Sequence, residues 1–240
     1  MIAAAVAWHD VECHGYDADL PLWLALAGRE AGPVLDVGAG TGRVALALAA
    51  AGHDVVALDL DRVLLDALAA RARARGLAVE TVLADAEAFD VGTARFGLVL
   101  VPMQTLQLLG DRPAFLGAAR RALRRGGLLA AAIADELVAF DVPEPALLPD
   151  PDVAELDGWR YVSQPTAVRV DGDRARIERL RTTEAPDGGR TTEANAVELA
   201  VCDPPGLARE ARAVGLIPVP GERIPPTGDH VGASVVAFRA

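Results

Sequence analysis

Val34-Leu35-Asp36-Val37-Gly38-Ala39-Gly40-Thr41-Gly42-Arg43 is the stretch on which the reading of the fold turns. Pro33 to Val37 has the apolar, β-branched character of a short buried strand. Glycines then occupy positions 38, 40 and 42, and Val44 to Ala51 continues as a helix that Gly52 ends. Without a Cβ the backbone can turn tightly and approach a ligand closely. The helix beyond offers N–H groups with no intrahelical partner. A dinucleotide site wants GxGxxG, with a pyrophosphate seated on that helix. Here the spacing is GxGxG, and Asp36 stands two residues before the first glycine. A buried carboxylate at that point repels a pyrophosphate and suits a cation, such as the ammonium of a methionine moiety.

The pattern outward from this turn is strand and helix in alternation. Asp19 to Arg29 is an amphipathic helix with Asp19 as its cap and Pro21 in its first turn. Asp54–Asp59 is a strand, Arg62–Arg75 a helix stopped by Gly76, and Ala78–Leu83 a third strand. Phe96–Val101 is a fourth strand, apolar throughout, as one covered on both faces should be. Arg112–Arg125 reads as a helix broken by Gly126-Gly127, and Leu128–Ala134 as a fifth strand. Such alternation predicts a doubly wound, Rossmann-like α/β sheet with right-handed crossovers.

After Ala134 the pattern changes. Pro143, Pro145, Pro149 and Pro151 make a loop. From Tyr161 to Ala200, three strand-like runs are separated by Asp171-Gly172 and Pro186-Asp187-Gly188-Gly189. Residues 135–203 therefore read as a small antiparallel β insert within one domain spanning 1–240, its Arg-bearing strands presenting a solvated sheet face or, alternatively, a lid or dimer surface. Pro204–Val214 is a helix, and Leu216–Val219 and Ser234–Arg239 are the final strands. Residues 1–32 form an N-terminal cap segment.

The net charge of −11 disfavours a nucleic-acid substrate. All 23 basic residues are Arg, so no lysine Schiff base can form and pyridoxal or lysine-nucleophile chemistry is excluded. Cys13 and Cys202 are too far apart in sequence for a zinc motif and fit a reducing, cytoplasmic setting. No apolar run is long enough to span a bilayer, and Met1–Ala7 lacks the features of a signal peptide.

In a doubly wound sheet, ligands gather at the carboxyl ends of the strands. Asp59 ends the second strand, where a carboxylate can accept both hydroxyls of a ribose. Asp85 ends the third, where its side chain can accept from an adenine amino group, with the Ala86 N–H beside it for a ring nitrogen. Together with Asp36 and the glycine turn, these make a coherent adenosyl pocket.

Over residues 16–134 the chain resembles the class I S-adenosylmethionine (SAM)-dependent methyltransferases. The resemblance rests on VLDVGAGTGR, VVALDLD, VLADAEAF, FGLVLVPMQTLQLL and ALRRGGLLAAAI, in that order. It implies a seven-stranded sheet whose last strand is antiparallel. It implies that Gly38 and Gly40 face the methionine part of SAM, Asp59 the ribose, and Asp85 with Ala86 the adenine. Tyr16 stands where related enzymes close over the cofactor. The full candidate cofactor set is Tyr16, Asp36, Gly38, Ala39, Gly40, Asp59, Leu60, Asp85, Ala86 and Val101. One departure is Gly97, where many members carry an acidic residue; it is expected to loosen the start of the fourth strand.

Methyl transfer from SAM is an in-line displacement, so alignment and exclusion of water dominate. A hydroxyl acceptor also needs a base, while an amine needs only to be neutral. Gln104, after the fourth strand, is a candidate to bind the acceptor or the SAM carboxylate. His230, in the link before the last strand, is a candidate base, and His14 a candidate acceptor-side residue. His9, Glu12, Cys13 and His14 cluster in sequence, but with no second ligand cluster no metal is assigned. The expected function is SAM-dependent methylation of a small-molecule acceptor at O or N, by a monomer or homodimer. The alternatives are a non-catalytic SAM-binding module, a biosynthetic SAM enzyme that has lost methyl transfer, and an NAD(P)-dependent oxidoreductase, against which GxGxG argues.

Overall fold

The computed structural model describes residues 3–141, 148–227 and 231–240. At the N-terminus, helix α1 (Ala4–His9) widens into a single π-helical turn over Asp10–His14. Helix α2 (Leu20–Arg29) follows. The alternating half then runs β1 (Val34–Val37), α3 (Arg43–Ala50), β2 (Val55–Asp59), α4 (Arg62–Ala74), β3 (Val79–Leu83) and β4 (Phe96–Val101). A short α5 (Thr105–Leu108), α6 (Arg112–Ala122) and β5 (Leu123–Ile133) complete it. The insert comprises β6 (Phe140–Asp141), β7 (Asp152–Leu156), β8 (Trp159–Asp171), β9 (Arg174–Glu184) and β10 (Arg190–Ala200). Helix α7 (Pro204–Ala213), β11 (Ile217–Ile224) and β12 (Ala233–Arg239) close the chain.

The main sheet has seven strands in the order β11-β12-β5-β4-β1-β2-β3. Strands β1 to β5 pair in parallel, and β12 runs antiparallel to both β5 and β11. The central strands β1 and β4 are buried along their whole length, which explains their unbroken apolar sequence. The order reverses beside β1, between β2 and β4, so the carboxyl ends of these strands open a crevice there. Two apolar layers pack on the sheet: one built with α6 and α7 (Phe115, Leu116, Leu207), the other with α2 and α3 (Trp23, Leu26, Leu48).

The insert is a second, antiparallel sheet of five strands. Strands β8, β9 and β10 are the three runs expected from the two turn signals, whereas β6 and β7 carry no comparable signal. Gln107 ties this sheet to the main one. Its amide donates to the carbonyls of Ala134 and Ala200 at 3.2 and 3.0 Å and accepts from the Ala134 N–H at 2.7 Å, so the ends of β5 and β10 are stitched together.

Three local expectations are corrected. Helix α6 ends at Ala122, and Leu123 already pairs with Phe96 in the sheet, so Gly126 (φ +75°) and Gly127 sit in an irregular stretch of β5 rather than ending a helix. Asp19 does not cap α2 with its side chain; it is fully buried and bonded to Trp23 and Arg43. Strand β11 runs on to Ile224 past a bulge after Val219, and as the sheet's edge it tolerates Pro218 and Pro220. The proline-bearing loop falls partly on residues 142–147, outside the described residues.

Candidate active site

A cavity of about 540 Å³ lies over the carboxyl ends of β1, β2 and β4. Its floor is the glycine turn. Gly38, Gly40 and Gly42 all have positive φ (+73°, +54° and +95°), so the sequence folds here only because these positions lack side chains. The Gly38 and Ala39 N–H groups both donate to the Leu58 carbonyl, fastening the turn to β2. The Gly40 N–H donates to Asp59 Oδ2 at 2.7 Å, and the Asp61 N–H to Asp59 Oδ1 at 2.9 Å. Asp59 is thus fixed at the end of β2 with acceptor capacity left over, since an ionised carboxylate has about four lone-pair sites.

Asp36 is the unusual group. Its side chain lines the cavity yet is 1% exposed, and neither oxygen meets a partner in hydrogen-bonding geometry. Burial pushes its pKa up to about 7, and the nearby Arg43 guanidinium and Ala45 N–H only partly offset that. Arg43 is itself committed elsewhere, donating to both oxygens of Asp19 at 2.5 and 2.8 Å and to the Tyr16 carbonyl at 2.8 Å. A buried carboxylate without partners is costly unless a ligand supplies one. A cationic ligand group does so.

The far wall and roof come from the N-terminal helix and the insert. Glu12, Cys13, Ile177, Arg179, Val197 and Leu199 line them. Glu12 accepts from Arg181 at 2.8 Å through both oxygens and from Ser163 at 2.9 Å, and forms an ion pair with Arg179 at 2.7 Å. Burial alone would raise the Glu12 carboxyl, but the bonds from Arg181 and the Arg179 charge outweigh it and hold it below its usual range. Trp8 meets Tyr161 edge-on at 5.3 Å, and Arg181 lies over the Trp8 ring at 5.2 Å. Burial pushes the Cys13 thiol up to about 11.

Of the candidates from the sequence, the cavity brings together Asp36, Gly38, Ala39, Asp59, Leu60, Asp85, Ala86 and Gln104. Gly40 joins them through its bond to Asp59. Asp85 accepts from the Glu87 N–H at 2.8 Å. Tyr16 stands apart, lining a small adjoining pocket with Met103 and Gln104, its ring facing Arg43 at 5.2 Å. Val101 is wholly buried inside β4 and does not line the cavity. His14 lies outside it, half-exposed and 3.9 Å from Asp10. His230 lies outside the described residues. His9 and Arg179 line the cavity without having been singled out individually. The spacing of His9, Glu12 and Cys13 at i, i+3 and i+4 was the available signal for a shared helical face.

The sheet order, the glycine turn and the three strand-end carboxylates define a class I SAM-binding α/β fold. Residues 34–127 match the family model described as a methyltransferase domain. No curated protein sequence matches the chain. Among solved structures, the chain is similar to the CcbJ methyltransferase from Streptomyces caelestis, with 24% identity, TM-score 0.67 and coverage of 94% of this chain and 97% of that one. It is similar to CalS10, an amino pentose methyltransferase from Micromonospora echinaspora, with 21% identity, TM-score 0.68 and coverage of 100% and 98%. It is also similar to a SAM-dependent methyltransferase from Clostridium acetobutylicum, with 12% identity, TM-score 0.71 and coverage of 97% and 96%. These likenesses show the fold. Together with the match of residues 34–127 to a methyltransferase domain, they point to SAM as the cofactor.

Proposed function

We propose that the protein methylates a small molecule at nitrogen or oxygen. The observation that carries this reading is the wall that the insert and the N-terminal helix build beside the cofactor groups. Cofactor groups and acceptor wall thus share one cavity of about 540 Å³. That size falls within the range of small-molecule sites. The net charge of −11 opposes a nucleic acid. The description of CalS10 as an amino pentose methyltransferase supports a compact acceptor.

The residues divide the work by position. Asp36, in this reading, pairs with the cofactor's ammonium, Asp59 accepts from its ribose and Asp85 with Ala86 meets its adenine. When bound, SAM supplies the electrophilic methyl group. The chain's own task is to hold the acceptor in line and keep water out. Ile177, Val197, Leu199, Leu108 and Leu109 give an apolar lining for that purpose. On the acceptor wall Cys13 stays a thiol at neutral pH, and Glu12 is engaged by two guanidinium groups. An amine attacks through its lone pair before any proton is lost, which favours nitrogen.

The test is calorimetric binding of SAM and S-adenosylhomocysteine to the native chain and to Asp59→Ala. Release of S-adenosylhomocysteine is then followed with panels of small amines, small alcohols, DNA and RNA. The expected result is binding by the native chain, weakened at least about tenfold in the variant, with turnover only on small molecules. A folded chain that binds neither compound, or one that methylates only nucleic acid, overturns the proposal.

A further inference from the structure

His9 ends α1, directly before the π-helical turn, and its ring lies on the glycine turn. A side-chain carbon placed on Gly40 would come within 2.0 Å of His9 Nε2 and 2.4 Å of its Cε1. The bareness of Gly40 is therefore what admits the imidazole to the cavity it lines.

The hydrogen bonds around the ring decide which nitrogen carries the proton. Thr41 Oγ1 lies 2.8 Å from Asp10 Oδ1 and 3.2 Å from His9 Nδ1. Arg71 grips both oxygens of Asp10, one of them at 2.9 Å. Burial pushes the Asp10 carboxyl up, but the Arg71 and Thr41 bonds outweigh it and keep it ionised at neutral pH. An ionised carboxylate only accepts, so the single Thr41 hydroxyl hydrogen goes to Asp10. Thr41 Oγ1 then accepts from His9, and the hydrogen sits on Nδ1. Burial keeps the imidazole neutral, against the pull of Asp10 and Asp59; His14 and Arg71 reinforce it. Nε2 is left with a free lone pair over Gly40, beside Asp59.

We propose that His9 is a cofactor-binding residue, its Nε2 accepting a hydrogen bond from a donor group of SAM, with Thr41, Asp10 and Arg71 fixing the tautomer. This rests on the SAM site described above and adds to it a residue from outside the Rossmann-like half. Two cofactor donors qualify: a ribose hydroxyl and the ammonium of the methionine part.

The experiment uses the full chain, S-adenosylhomocysteine and 5′-methylthioadenosine, which keeps the ribose and lacks the amino-acid part. Binding of each is measured by calorimetry for the native chain, His9→Phe and Thr41→Val. His9→Phe keeps a ring over Gly40 and removes the nitrogen. The expected result is binding of S-adenosylhomocysteine about three- to tenfold weaker in His9→Phe, with a smaller loss in Thr41→Val, whose ring keeps Nε2 but loses its tether. An equal loss with 5′-methylthioadenosine assigns the bond to the ribose; a loss confined to S-adenosylhomocysteine assigns it to the ammonium. As a second readout, imidazole ¹⁵N spectra should show an unprotonated Nε2 whose resonance moves on adding S-adenosylhomocysteine. Unchanged affinity in a folded His9→Phe, or an unmoved Nε2 resonance in the saturated native chain, overturns the role of His9 and leaves the SAM site standing. Failure of the native chain to bind either compound overturns both.

Discussion

Gly97 illustrates how a single missing side chain is dictated by a distant backbone. Its N–H donates to the Pro33 carbonyl at 3.0 Å, and a Cβ there would meet the Ala31 carbonyl oxygen at 2.0 Å. The expectation that this glycine loosens β4 is therefore replaced by a requirement: the loop before β1 crosses β4 at a spot with no room for a side chain. A backbone oxygen cannot swing away as a flexible side chain can. Gly97→Ala should lower stability by about 1–3 kcal/mol, read as a shift of the urea midpoint. Because Gly97 opens the strand at the end away from the cavity, S-adenosylhomocysteine affinity at a temperature where the variant is folded should be unchanged. A midpoint equal to the native one shows that the Ala31 loop can yield. The sequence around Gly97 is silent on this, because the partner lies 66 residues away in another loop. Asp36, by contrast, was legible: two residues before GxGxG, its placement and burial follow from the motif itself. The ion pair between Asp19 and Arg43 was not, since a helix-capping position and a buried acid look alike in sequence.

At the scale of elements, strand and helix periodicity carried the alternating half. Misreadings arose where local pattern and tertiary pairing compete. Ala122-Leu123-Arg124-Arg125 continues the helical pattern of α6, yet pairing of Leu123 with Phe96 draws the chain into the sheet before the glycines. The N-terminal helix escaped notice because Ala3 gives α1 no side-chain cap and its stability comes from elsewhere. That support is concentrated in Glu12, whose partners Arg179, Arg181 and Ser163 all belong to the insert, while Asp10 binds Arg71 of α4. The element thus bridges the two sheets through opposite charges. Glu12→Gln leaves two guanidinium groups facing a neutral amide. The side chains of Glu12, Arg179 and Arg181 keep 9%, 16% and 18% exposure, so the loss should be about 2 kcal/mol, below that of a fully buried pair. Hydrogen exchange should show the loss locally, as faster exchange over residues 4–14 with β1, β4 and β5 unaffected. Faster exchange spread evenly through both sheets would mean instead that the helix and the main sheet unfold as one unit.

At the scale of the whole molecule, the protonation of Asp36 sets stability against cofactor binding. The native chain keeps that proton up to about pH 7, whereas an unfolded chain releases it near the usual 3.8. Between those values the unfolded state binds fewer protons, so this group's contribution to stability falls as pH rises and is fully lost above pH 7. The separation corresponds to at most roughly 4 kcal/mol. Asp10 and Glu12, whose carboxyls are held below their ordinary 3.8 and 4.5, act in the opposite sense: their stabilisation is present above those ordinary values and disappears in acid. The net profile of the native chain therefore mixes the two, and the difference between native and Asp36→Asn isolates the Asp36 part. Asparagine keeps the shape and never ionises. The variant should gain stability relative to native as pH rises from about 4 to 7 and hold that gain at pH 8, in denaturant titrations across the range. It should also bind SAM more weakly at pH 8, because in the proposed reading the charge that destabilises the empty chain is the one that receives the ammonium. The same linkage predicts that SAM binding at pH 6.5 releases protons, so its calorimetric enthalpy should depend on the ionisation enthalpy of the buffer, and that this dependence should shrink at pH 8 and vanish in Asp36→Asn. A flat difference profile together with buffer-independent binding at pH 6.5 would place the ammonium elsewhere and leave Asp36 a purely structural acid.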